Sequence, residues 1–347
     1  MANKEKIVFY FPWKELSGGP YYLTKLADDL ANNQEYEVYY TDYKNGLAEK
    51  LIKNPNVKQI EYNDESEFKL PIEEPVTIIT PIYWAHRIPK MNLNSKILFL
   101  NWHYCCMPVF KNDSKWSKKL INNLLKLVKK TNSCFFLDYS HLIGQNTNKI
   151  KFKETFVPIT LRGKNVIANK DIINPEEINI GVLGRLDGDK VYSVLNLLDN
   201  LANINSSKPV NVHIIGDGVH RKFFEEECKK SNYSNCNINI IMHGIMVNDE
   251  LNNFMANNID VLFAMGTSVI EGAAIKLPSV IVPSNCQKFY DNKYVYFHNS
   301  IKYCLGWFNT QIPELGISTI KLEDVLDDIY NKNLKSDIGN KVFEYYG

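Results

Sequence analysis

Between Ile178 and Pro283 the sequence repeats one pattern: a short apolar run, a polar turn, then an amphipathic stretch. The runs are Ile178–Gly184, Val210–Ile215, Ile238–Met242 and Val261–Ala264, with Ser279–Val282 following as a fifth. Each is too short for a helix. The segments between them carry apolar residues at helical spacing, as with Val191, Val194, Leu195 and Leu198. Strands alternating with helices predict a parallel sheet covered on both faces, an α/β fold. In such sheets ligands bind where strand C-termini meet helix N-termini, and the unusual residues lie there. The first strand leads into Gly184-Arg185-Leu186-Asp187-Gly188-Asp189-Lys190. The second leads into Gly216-Asp217-Gly218, and the fourth into Gly266-Thr267-Ser268 with Glu271 one turn on.

The first half reads the same way. Strands are predicted at Lys6–Phe11, Glu37–Thr41, Val76–Thr80, Lys96–Asn101 and Ser133–Leu137, with helices at Tyr21–Asn32 and Ser114–Lys130 and a short apolar run at Phe156–Ile159. The pattern dissolves between Pro158 and Glu177, which places a linker there. Two Rossmann-like domains are expected, 1–165 and 166–315. A C-terminal segment, 316–347, holds a helix at Leu322–Asn331 that could pack back on the first domain.

With 347 residues the chain can build two cores. A net charge of +1 argues neither for nor against nucleic acid, but basic and aromatic residues are not interleaved along one groove-like segment, so a nucleic-acid binder is not expected. No apolar run approaches the roughly 20 residues of a membrane span. The N-terminus runs into a strand without a signal-peptide pattern, so a cytoplasmic protein is expected. Seven scattered cysteines, without C-x-x-C or Cys/His ligand spacing, read as reduced and mostly buried thiols.

Arg185 and Lys190, flanking one turn, can neutralise two oxyanions of a diphosphate. Gly266-Thr267-Ser268 opens a helix whose N–H groups and dipole favour an anion. Glu271 is placed to accept from a ribose hydroxyl pair. Gly18 and Gly19, after the first strand, form a turn whose backbone can approach a phosphate closely.

These segments resemble the GT-B-fold, retaining glycosyltransferases of family 4, common in bacterial surface-polysaccharide assembly. Gly184-Arg185-Leu186 with Lys190 looks like the family's G-R-L-x-x-x-K donor-phosphate loop. Val212–Gly218 looks like its strand and G-D-G turn, and His243-Gly244-Ile245-Met246 resembles the segment flanking the base. Met265–Ala274, ending Leu277-Pro278, resembles the E-x7-E region. One position departs: Phe263 stands where the family has its first glutamate, which contacts the transferred sugar, and only the second, Glu271, is present.

The resemblance implies two Rossmann-like domains with parallel sheets facing a central cleft. It implies retaining, metal-independent transfer from a nucleotide-diphosphate sugar, UDP favoured over GDP, to a glycan or lipid-linked glycan, with no cofactor. Gly18, Gly19, Gly184, Arg185, Lys190, Gly216, Gly244, Met246, Gly266, Thr267, Ser268 and Glu271 would bind the donor. Arg185, Lys190 and Glu271 would act in catalysis together with His103, at the position of a family histidine near the anomeric carbon. A GT-B epimerase and a catalytically silent nucleotide-sugar or glycan-binding module remain alternatives.

Other signals read blandly. Asp187-Gly188-Asp189 is a turn before it is a D-x-D metal motif. Gly216-x-Gly218 lacks the third glycine of a dinucleotide fingerprint, since Arg221 stands there. Cys105-Cys106 beside His103 and the remaining histidines are structural. On the helix Ser114–Lys130, Trp116, Leu120, Leu124, Leu127 and Val128 form the expected core face. The lysines between Lys115 and Lys130 gather opposite, either as solvated surface or as a patch for the anionic inner face of a membrane.

Overall fold

The structure is a computed structural model that describes residues 4–14, 18–102, 116–145, 151–159, 166–204, 206–311 and 315–346. The chain divides into two compact units, 1–159 and 160–347.

In the first unit the elements run β1 (Glu5–Tyr10), α1 (Gly18–Leu30), β2 (Tyr36–Tyr43), α2 (Leu47–Leu51), β3 (Lys58–Tyr62), β4 (Thr77–Thr80) and β5 (Lys96–Asn101). They continue with α3 (Lys118–Thr131), β6 (Cys134–Phe136) and α4 (Tyr139–Gln145). The six strands are parallel in the order β3-β2-β1-β4-β5-β6. Central strands are apolar where both faces are covered: in β1, Ile7, Val8, Phe9 and Tyr10 are buried, after a polar Glu5-Lys6 start. The run at Phe156–Ile159 forms only a bridge from Phe156 to Phe136.

Helix α3 buries part of the face its periodicity suggested, with Trp116, Leu124 and Val128 inward, but turns Ile121 and Leu125 to the core in place of Leu120 and Leu127. Ile121, Leu125 and Val128 pack with Phe99, Phe136 and Leu142, and Leu124 packs partly against them. Leu120 and Leu127 are 46% and 56% exposed. The helix begins at Ser117, whose hydroxyl accepts from the Leu120 N–H, and ends at Asn132 in the left-handed region.

The second unit runs β7 (Ile178–Leu183), α5 (Gly188–Ile204), β8 (Val210–Ile215), α6 (Arg221–Ser231), β9 (Ile238–Gly244), α7 (Asn248–Asn258), β10 (Val261–Ala264), α8 (Thr267–Ala274) and β11 (Ser279–Ile281). Three two-residue strands follow, β12 (Pro283–Ser284), β13 (Val295–Tyr296) and β14 (Trp307–Phe308). Its main sheet is ordered β13-β11-β10-β7-β8-β9, parallel except for β13. Counted from each unit's first strand, both sheets follow the Rossmann order 3-2-1-4-5-6. Each therefore reverses direction once, between β1 and β4 in the first unit and between β7 and β10 in the second. Those are the crevices where the order predicts a ligand.

The expected helix over 322–331 is α9 (Leu322–Leu326) followed by a wider π turn, Asp327–Asn331. Asn333, at φ 56°, breaks the chain direction before α10 (Lys335–Tyr346) begins. Gly339 of α10 lies so close to the Lys276 carbonyl that a Cβ would overlap it, which seats α10 on the second unit behind α8.

Lys335 and Asp260 form a buried ion pair at 2.6 Å, with side chains 1% and 0% exposed. Lys335 Nζ also donates to the Asp171 carbonyl at 2.8 Å. Asp260 accepts from the Ile173 N–H at 3.0 Å and the Tyr330 hydroxyl at 3.0 Å. Tyr330 in turn accepts from the Asn179 N–H at 2.7 Å. Burial and the Asp260 carboxylate push the Tyr330 phenol well above its usual pKa, keeping it a donor. Of the five described cysteines only Cys134 and Cys304 are buried, and Cys286 is exposed. That is fewer buried thiols than the sequence suggested.

Candidate functional site

At the C-terminal edge of the second sheet, four strands end at or beside glycines 184, 216, 244 and 266. Gly184 and Gly216 are in backbone contact, so that a Cβ on Gly216 would overlap the Gly184 carbonyl oxygen. Gly216, at φ +136°, is required there on both counts. Its N–H donates to the Gly244 carbonyl at 2.7 Å, and the Gly184 N–H donates to Ile215 O at 3.0 Å.

The two loops leaving β7 and β8 are knitted together. Leu186 N–H donates to Asp217 O at 3.1 Å, and His220 N–H returns to Leu186 O at 3.0 Å. Gly188 N–H donates to His220 Nδ1 at 3.1 Å, and Val219 N–H to Asp187 Oδ1 at 3.1 Å. The Asp187 carbonyl accepts from the Lys190 and Val191 N–H groups at 2.8 and 3.1 Å, which starts α5. Asp187 and His220 thus position the loop, a role without any motif in the sequence. The Asp187–Asp189 stretch is a helix-starting turn, as its composition suggested.

The two cations of this loop stand differently. Arg185 is exposed and pairs with Asp187 Oδ2 at 3.0 Å. Lys190 is half-buried. Burial and the positive charge of Arg185 push its ammonium below the usual lysine pKa, against the pull of Asp189 and Asp187. From across the switch point, Ser268 reaches the same place: a Cβ on Gly184 would lie 4.0 Å from both Lys190 Cδ and Ser268 Oγ. Residues 78 positions apart in sequence, by subtraction of their numbers, therefore converge over one glycine.

The helix start at α8 differs from expectation in one respect. Gly266, at φ 64°, donates its N–H to the Leu305 carbonyl at 2.7 Å, so an anion would meet Thr267 and Ser268 at the head of the helix. Glu271 is half-buried within α8. Phe263 lies inside β10, fully buried, with its ring 5.6 Å from Tyr294 in an edge contact. A glutamate there would point into the core rather than toward the sheet edge. Beyond the glycines stand exposed apolar side chains, Val219 (86%), Ile245 (74%) and Val247 (57%), with Met246 half-buried between the last two.

His213 and His243 stack behind this edge, Nδ1 to Nε2 at 2.9 Å, with Phe254 against both rings. Burial and the neighbouring His243 push His213 down to about 4, so the pair is neutral near pH 7. Among the described residues no group of three or more His, Cys, Asp or Glu could hold a metal ion.

In the first unit, Gly18 is exposed at the start of α1. Gly19 lies against the Trp102 indole so closely that any side chain would overlap it. Trp102 packs edge-on to Phe11 at 5.1 Å, and Phe11 stacks on Trp13 at 5.3 Å. The C-terminal edge of this sheet is thus aromatic where the other is cationic. His103, Cys105, Cys106 and Lys115 lie outside the described residues.

No protein-family model and no curated protein sequence matches the chain. Solved structures do. A glycosyltransferase from Rickettsia africae is similar over 99% of this chain and 95% of its own, at 14% identity and a TM-score of 0.58. The lipopolysaccharide outer core galactosyltransferase WaaB is similar over 98% and 95%, at 13% identity and a TM-score of 0.54. Anabaena HepE in complex with UDP-glucose is similar over 98% and 93%, at 11% identity and a TM-score of 0.53. With the two sheets of order 3-2-1-4-5-6, these likenesses show that the chain has the GT-B fold, two Rossmann-like units in succession.

Proposed function

We propose that the chain is a glycosyltransferase that moves a sugar from a UDP-sugar to a glycan acceptor. The observation that carries this reading is the convergence of Lys190 and Ser268 over Gly184, with Arg185 alongside, at the switch point of the second sheet. Two cations and a helix start suit a diphosphate, and the exposed apolar residues beside them suit a nucleobase. Breaking the bond between the sugar's anomeric carbon and the β-phosphate oxygen leaves its electron pair on the diphosphate. Arg185, Lys190 and the Thr267 and Ser268 N–H groups would stabilise that charge as it develops, without requiring a metal ion. The acceptor oxygen bonds the anomeric carbon and passes its proton to the departing diphosphate oxygen, with retention of configuration. Glu271 would bind the ribose and His103 the transferred sugar. The aromatic edge of the first unit, around Trp102 and Trp13, suits a sugar acceptor. HepE, similar in fold, binds UDP-glucose, which favours uridine in the donor.

A second reading, a silent nucleotide-sugar-binding module, is favoured by one observation: the buried Phe263 leaves no carboxylate at the first-glutamate position. Thermal-shift titration with UDP, GDP and their sugars, followed by UDP release in the presence of acceptor glycans, separates the readings. A UDP-sugar should raise the melting temperature in proportion to saturation, and acceptors should release UDP. Absence of any shift with uridine or guanosine nucleotides would sink both readings; a shift without nucleotide release would leave the silent module. A GT-B epimerase would convert the donor sugar without releasing free UDP.

The lipid-linked form of the acceptor is supported by α3. Its exposed Leu120 and Leu127 stand among Lys118, Lys119, Lys126, Lys129 and Lys130. Such a face suits anionic lipid, each cation contributing roughly 1 kcal/mol near the surface. No described helix is long and apolar enough to cross a membrane. Replacing Lys118, Lys119, Lys126 and Lys129 by Gln should strip the protein from anionic vesicles in a sedimentation assay. Undiminished binding would reduce the face to solvated surface.

A further inference from the structure

The second unit carries a cavity of about 390 Å³ whose lining includes Tyr296, His298, Asn299, Ser318, Asp328 and Lys341. It does not belong to the loops described above. Strand β13 runs antiparallel to β11, with Val295 beside Ile281 and Tyr296 beside Val280. The chain beyond Tyr296 therefore leaves toward the N-terminal edge of the parallel strands, opposite the glycine loops.

The charges of the cavity are unbalanced. Its carboxylate, Asp328, is satisfied: Oδ2 accepts from the Tyr296 hydroxyl at 3.1 Å and Oδ1 pairs with Lys332 at 3.0 Å. Lys341, exposed at the rim, has no ion pair among the described residues. His298 stacks on Tyr296, ring centroids 5.5 Å apart, and its Nδ1 is buried without a hydrogen-bond partner among the described residues. A buried N–H with no acceptor is costly, so the neutral ring keeps its proton on Nε2 and is a donor there. Burial and the Lys341 charge push His298 down to about 4. The ring is therefore neutral near pH 7, between Lys341 and the already-paired Asp328. An apolar floor of Ile320, Leu334 and Ile338 lies beneath a polar rim of Asn299, Ser318 and Thr319.

We infer that this cavity is a second binding site, for a small polyhydroxylated anion of sugar-phosphate size. Lys341 and His298 receive the anionic group, and the amide and hydroxyl rim receives the ring hydroxyls. Its volume is within the range of small-ligand pockets, and an occupant would sit apart from the candidate diphosphate loops.

Calorimetric titration of the full chain with glucose 1-phosphate tests the assignment. It is run on the parent protein and on the Lys190→Ala variant, with and without saturating UDP. Binding of one equivalent is expected in every case, weakened at least tenfold by Lys341→Gln. Histidine C2–H resonances should show His298 moving on addition, with its pKa rising toward the ordinary value as the anion arrives. Lys341 is at the surface, so its replacement leaves the fold intact, checked by circular dichroism. Loss of binding on addition of UDP, or in Lys190→Ala, would assign the ligand to the donor loops and overturn the inference. So would binding that Lys341→Gln leaves unchanged. Equal affinity for glucose would refute the anionic requirement, and equal affinity for inorganic phosphate would refute the sugar ring's part.

Discussion

Replacing Lys190 by Ala should weaken UDP binding roughly tenfold to a hundredfold, measured by calorimetry, and lower turnover with a UDP-sugar by more. A hydrogen bond to a charged group contributes about 1.5–3 kcal/mol, and about 1.4 kcal/mol is a factor of ten. The ammonium of Lys190 is half-buried and held beside Arg185, where water screens it less than a surface charge. Charge developing on a leaving diphosphate would feel it more than the ground state does, so the rate should fall further than the affinity. A pH dependence follows with a definite sign. Only protonated Lys190 attracts the diphosphate, and its pKa in the free protein is depressed. UDP affinity should therefore decline as pH rises through that lowered value, before an ordinary lysine would titrate. Lys190→Arg should remove this decline while keeping part of the affinity. Affinity unchanged in Lys190→Ala would show that the nucleotide binds elsewhere.

The second large effect is on stability. Lys335→Met should destabilise the second unit by about 3–5 kcal/mol, because it leaves the Asp260 carboxylate buried without its countercharge. The contact joins parts remote in sequence: the segment entering β7, the start of β10 and the last helix. Urea denaturation followed by far-UV circular dichroism would read the shift in midpoint. The double variant Lys335→Met with Asp260→Leu should recover much of the loss, since an apolar pair needs no compensation. A single variant within about 1 kcal/mol of the parent would show that Tyr330, Ile173 and Asn179 already compensate Asp260.

Legibility in the sequence followed physical lines. Strands buried on both faces, such as Val261–Ala264, read directly because nothing polar interrupts them. Strand β3, Lys-Gln-Ile-Glu-Tyr at the edge of its sheet, did not, because only Tyr62 at its end is buried. Helix α3 holds two apolar stripes at the same spacing, Leu120/Leu124/Leu127 and Ile121/Leu125/Val128. Periodicity shows that such a helix is amphipathic but not which stripe turns inward. Helix α10 was hidden by a polar sequence in which, among the described side chains, Ile338 and Val342, one turn apart, are the buried apolar ones. At the site, the glycines and cations were visible as types at strand ends. The capture of the Gly266 N–H by Leu305 was not, since it depends on a segment 39 positions away, by subtraction. Phe263 stands out in the sequence as a departure from the family pattern, and its burial within β10 is visible only in the structure.

The cross-bonded loops leaving β7 and β8 imply a division of labour. Glycine contact and four reciprocal hydrogen bonds fix the frame before any ligand arrives, so little ordering entropy remains to oppose binding. The protruding side chains of Val219, Ile245 and Val247 take no part in that lattice, to which Val219 lends only its backbone N–H. If they meet a nucleobase as proposed, substitutions among them would change the preferred base while the frame keeps its shape.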